Sequence, residues 1–201
     1  MAATLVVQEV TGAVGSKTFT NITNRVRLFT KDQATDQGTA QITYPVPIPT
    51  SDFNYSYWKH ICLDISGTFT KVDNIRHYSD GAIGWNFGTL GELRRGNKDA
   101  GDIGCGVDTA NGHADGYEQA HGTEGTTGAE MGVNHAFFAG QTTKTVDIEG
   151  DVAPNGVVVD SVGETVAGKT LAVVVQVKVD TNATSGVQTA ETMTWKYDVI
   201  D

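Results

Sequence analysis

The chain has 201 residues, enough for one domain with a real core, or for one domain carrying an elaborate insertion. Apolar residues make up 39% and charged residues 19%, which excludes a disordered chain, and the 24 glycines favour turns and strands over helices. The net charge is −10 and Arg94-Arg95 is the only dense basic pair, so nucleic-acid phosphates are excluded as the main partner.

Residues 3–10 alternate weakly, with Leu5 and Val7 set against polar neighbours, and predict a first strand broken by Gly12, Gly15 and Ser16. The opening residues lack the basic start and apolar run of a secretory signal, and nothing approaches the ~18 apolar residues of a membrane span, so no membrane partner is expected. Residues 1–24 are rich in small side chains and read as an extended amino-terminal arm. Residues 25–30 alternate, with Val26 and Leu28 inward and Arg25 and Arg27 outward. A polar loop (30–38) leads to a strand at 39–44, stopped by the prolines of 45–49. In 55–81, Ile61, Leu63 and Ile65 share one face, and His60, Cys62, Asp64 and Ser66 the other. Gly67 marks a bend, residues 71–74 a turn, and 75–78 a short strand.

Residues 81–143 are crowded with Gly, Asp, Asn and His and show no sustained period, apart from short helical turns at 115–121 and 129–137. So long a segment reads as an ordered, irregular, Gly-rich insertion. Trp85, Phe87, Tyr117, Phe137 and Phe138 are its candidate interface anchors, with Trp85 on its Gly-flanked loop the foremost. Trp58 and Trp195 read as core. Strands resume at 143–150 and 156–161. In 169–181, Leu171, Val173, Val175, Val177 and Val179 face one way, while Gln176, Lys178 and Asp180 face the other. In 189–199, Met193, Trp195, Tyr197 and Val199 alternate with polar residues, so 182–186 reads as a hairpin connection between two half-buried antiparallel strands. The predicted fold is a single all-β domain over 1–201, an antiparallel sandwich or jelly roll interrupted by 81–143.

Motifs for chemistry are weak. His113, Asp115, Glu118, His121, Glu124 and His135 crowd the insertion, but there is neither a His-Glu-x-x-His nor a paired Cys-x-x-Cys, and solvated loop residues are the better reading. Asp102, Asp108, His113, Asp115 and His121 leave a loop cation open, without the spacing of an EF-hand. No metal site, cofactor motif or catalytic residue is assigned. Asp64 could find a carboxylate partner across a sheet, as any strand-rich acidic chain offers by chance. Cys62 reads as a buried strand thiol and Cys105 as an ordinary loop thiol; two cysteines make no disulfide framework, and a single bond between them, which would tie the loop region to the sheet, is the alternative left open.

At 55–81 and 187–201, with Trp58-Lys59 before a strand, Asn74-Ile75-Arg76 soon after, and a closing strand carrying Tyr197-Asp198, the chain resembles a loose class of virion structural proteins of tailed viruses of bacteria and archaea. The resemblance covers about a quarter of the chain and brings no catalytic residues. It implies a non-enzymatic structural subunit, a capsid decoration or stabilising protein made in the host cytoplasm and ending in the virion. Its partners would be further copies of itself, in a trimer or another small ring, and virion proteins such as the major capsid protein. The alternatives are a tail or baseplate component, or a carbohydrate-binding module with a glycan as partner.

Overall fold

Alternating sequence becomes antiparallel ladder in a computed structural model, which describes residues 3–22, 25–35, 39–81, 84–106, 116–154 and 156–201. The amino-terminal strands are β1 (Thr4–Thr11), β2 (Thr18–Asn21), β3 (Phe53–Tyr55), β4 (Lys59–Ser66) and β5 (Lys71–Ser79). The middle of the chain supplies β6 (Glu92–Gly96), β7 (Gly122–Thr123), β8 (Thr127–Gly128) and β9 (Thr145–Asp147). The last four are β10 (Val157–Asp160), β11 (Gly168–Lys169), β12 (Val173–Asp180) and β13 (Met193–Ile200). Among the described residues α-helix is confined to single turns, α1 (Ala40–Thr43), α2 (Met131–Asn134) and α3 (Ala136–Ala139), with 3-10 turns at Val14–Ser16 and Ile148–Gly150.

The fold is all-β, antiparallel and sandwich-like. A large sheet runs β2-β1-β4-β12-β6-β9, with β11 added to β4 and β3 to β12. A second sheet runs β10-β5-β13. The strands thus divide eight against three, with the small β7-β8 ribbon apart from both. The core between the sheets joins Ile61, Leu63 and Ile65 of β4 and the alternate valines of β12 to Val72, Ile75 and Val159 of the second sheet. Fully burying one such side chain contributes roughly 1.5–3 kcal/mol.

The structure departs from the sequence reading at several places. Residues 25–29 form no ladder. They have no regular structure, with Val26 and Leu28 packed on the core, and they are held by the Arg27 N–H donating to Thr35 Oγ1 and the Tyr57 N–H donating to the Phe29 carbonyl. Residues 40–43 close into α1 through the Tyr44 N–H donating to the Ala40 carbonyl. The expected turn at 71–74 belongs to β5: Asn74 takes φ 52° inside the strand, a left-handed value Asn tolerates, and the register to β13 shifts there. Residues 4–21 are not an arm, because β1 lies between β2 and β4. Segment 81–143 is not wholly an excursion either, because β6 lies between β12 and β9 in the large sheet. The expected hairpin is absent, since β12 sits in the large sheet while β13 crosses over to pair with β5.

One departure positions the candidate site. Both faces of β12 are buried, not one. Residues 103–106 and 116–139 fold over the outer face of β4 and β12, and Val10, Tyr57, Trp58, Cys62, Tyr117, Met131, Phe138 and Val174 form a second core beneath them. Gln176, expected in solvent, is wholly buried there. Its Nε2 donates to the carbonyls of Ser56 (2.7 Å) and Ala129 (2.8 Å), and its Oε1 accepts from the Met131 N–H (2.9 Å).

Candidate functional site

The second core carries the densest chemistry of the described residues. His60 lies on β4, opposite Val174 of β12 and Val10 of β1, on the face away from Ile61. His135 is the residue between α2 and α3, and its ring caps α3 by accepting from the Phe137 N–H at Nδ1 (3.3 Å). Cys105 pairs its backbone with Ala172, N–H to carbonyl in both directions (3.0 and 2.7 Å). Their ligand atoms all lie within 4.8 Å of one another, and all three residues are buried. The two Nε2 atoms of His60 and His135 are 3.1 Å apart.

The rings are closely held. The Gly116 backbone lies beside the His60 ring and favours its protonated form, and the Tyr117 ring lies 4.7 Å from it. Trp58 meets His135 edge-on at 5.3 Å and donates its Nε1–H to the Glu118 carbonyl (2.9 Å). Glu118 Oε2 accepts from the Ala136 N–H and lies 3.9 Å from Nδ1 of His135. Burial pushes the His135 imidazole down to about 4. Burial, reinforced by the neighbouring His135, holds His60 well below the usual histidine range. Both imidazoles are therefore neutral near pH 7, the form that ligates metals. With Nδ1 of His135 accepting, its neutral ring carries the proton on Nε2, pointing at Nε2 of His60.

The expected interface anchors divide. Tyr117 and Phe138 are buried in the second core, so they hold the cover to the sheet and present no surface. Phe137 is half-buried at its margin, edge-on to Phe138 at 5.0 Å. Trp85 and Phe87 stack on each other at 5.4 Å and pack half-buried against the main core. Of the loop-cation candidates, Asp108, His113 and Asp115 lie outside the described residues. Asp102 accepts from the Ser161 N–H and hydroxyl, and His121 is an exposed neighbour of Trp58 at 5.2 Å. Asp64 pairs with Lys169 at 2.6 Å, a salt bridge and not a carboxylate couple. Cys105 is no ordinary loop thiol, being wholly buried, and it is not disulfide-bonded to the equally buried Cys62. Sequence spacing assigns His60 and Cys105 no functional weight, because 45 and 30 residues separate the three partners and the cover brings them together.

Among the described residues no helix is long and apolar enough to cross a membrane. Compared with protein-family models, curated proteins and solved structures, the chain matches none.

Proposed function

We propose that the chain is a non-enzymatic structural subunit of a virus particle, a capsid decoration or stabilising protein, that joins copies of itself through the outer edge of β13. The observation that carries this is the exposure of that strand. Among the described strands β13 pairs only with β5, and Lys196 through Ile200 are all exposed, with Tyr197 at 37%, Val199 at 38% and Ile200 at 48%. An edge that shows both backbone and apolar side chains is a template for another strand.

The charges on this edge suit a second copy. In an antiparallel pair centred on Tyr197, Lys196 of each copy lies opposite Asp198 of the other. Such opposed pairs contribute roughly 0.2–1 kcal/mol each, and the contact is isologous, as a two-fold interface requires. The resemblance supports the setting, since its two stretches fall largely on β4, β5 and β13. A carbohydrate-binding role gains nothing from Trp85 and Phe87, which stack together against the core and form no open row.

The test is a charge swap followed by solution mass. Lys196→Asp should weaken the oligomer, and Lys196→Asp with Asp198→Lys should restore it, because the swap rebuilds the same pairs. An oligomer indifferent to both variants places the contact elsewhere.

A further inference from the structure

We propose that His60, His135 and Cys105 form a binding site for a borderline-soft divalent metal ion of the zinc class. Two imidazole nitrogens at ~2.0–2.1 Å from a tetrahedral ion lie roughly 3.3 Å apart, and a thiolate sits only slightly further out, at ~2.3 Å from the ion. The observed 3.1 Å between the two Nε2 atoms lies close to that spacing, and with every ligand atom within 4.8 Å the thiol needs at most about an ångström of closure to reach the ~3.6 Å from each nitrogen that these bond lengths imply. A sulfur with two imidazoles selects zinc, cobalt or copper over magnesium or calcium, whose ligands are oxygens.

The surroundings supply what such a site needs beyond its donors. A metal-bound imidazole is oriented by a hydrogen bond from its other nitrogen. The Gly116 backbone lies beside the His60 ring, and Nδ1 of His135, which accepts from the Phe137 N–H at 3.3 Å, would exchange that contact on binding for the Glu118 carboxylate, whose Oε2 lies 3.9 Å away. On binding, the proton of His135 leaves Nε2 for Nδ1, on the side of that carboxylate. Cys105 loses its thiol proton to solvent, and the imidazoles give up none, so one proton is released per ion. A surface depression is lined by Gly116, Tyr117, Glu118, Ala136 and Phe137, of which Tyr117 packs on the His60 ring and Ala136 directly follows His135. The ion would lock β4, the Cys105 strand segment and the α2–α3 junction into one body. This proposal is independent of the assembly reading above.

The test uses the full chain, reduced and metal-stripped, titrated with Co2+ both as native protein and during refolding from urea. One equivalent should bind with an intense thiolate-to-cobalt absorption band, and Zn2+ should displace it. Cys105→Ser should lose that band. His135→Gln should weaken binding by at least about tenfold, as even outer-shell changes do. Zn2+ should raise the melting temperature of the wild type and leave that of Cys105→Ser unmoved. Folded wild-type protein that takes up no cobalt, or takes it up without the thiolate band, overturns the proposal, and neither result depends on a variant folding.

Discussion

Gln176 Oε1 accepts the backbone N–H of Met131 at 2.9 Å, across 45 residues of sequence, and so fastens the cover over the large sheet. The same amide donates to Ser56 and Ala129, leaving no atom of the buried side chain without a partner. Gln176→Leu matches the burial but orphans one N–H and two carbonyls, at about 1–3 kcal/mol for each buried group left unpaired. The expected outcome is a loss of several kcal/mol in urea unfolding, together with faster proteolysis within 116–139. A variant as stable as the wild type would mean that the bracket contributes nothing.

Glu9 of β1 and Lys59 of β4 form a buried pair at 3.4 Å, with side chains 0% and 4% exposed. Glu9 also accepts from the backbone N–H and hydroxyl of Thr35, and Lys59 donates to the Gln33 carbonyl (2.8 Å), so the pair anchors the loop at 33–35, whose Thr35 in turn holds the Arg27 N–H. Burial lowers the Lys59 ammonium from its ordinary range, and Glu9 opposes that shift. Glu9→Gln should cost about 3–5 kcal/mol, because it strands a buried cation. Adding Lys59→Met should recover much of that loss. Equal stability of the single and double variants would contradict this account.

His77 on β5 is buried edge-on to Trp195 at 5.2 Å. Burial, with the Arg95 charge nearby, pushes its imidazole down to about 3. The folded form therefore stays neutral while the unfolded chain takes a proton near pH 6.5, so stability is full above pH 6.5 and falls as pH drops towards 3. The loss through this residue is about 1.4 kcal/mol per pH unit in that window. His60 and His135 act in the same direction, so the difference between wild type and His77→Leu is the informative quantity. From pH 6.5 to 5 the wild type should lose about 2 kcal/mol more than the variant. Parallel pH profiles would contradict the assignment.

Chemical legibility in the sequence tracks locality. The alternation of β1, β4, β12 and β13 is a property of neighbouring residues, and those strands form where the pattern places them. What covers a strand is not local. Gln176 reads as solvent-facing until residues 116–139 fold over β12, and His60 reads as the polar side of β4 for the same reason. Residues 40–43 carry strand-forming Ile42 and Thr43, yet a single turn closing on Tyr44 prevails over propensity there. In β6 the pattern is hidden, because Arg94 and Arg95 occupy strand positions and are satisfied by Glu92 and Glu130 and by Asp151 respectively. Of the candidate site only His135 stood among residues weighed for metal binding, since no short spacing links it to positions 60 and 105.

The most direct test of the assembly reading is the mass of the purified chain in solution by light scattering, across a range of concentrations and with and without chelator. The account expects a dimer, or a larger oligomer built from dimers, that persists in chelator because β13 contacts hold it. A monomer at every concentration would contradict it.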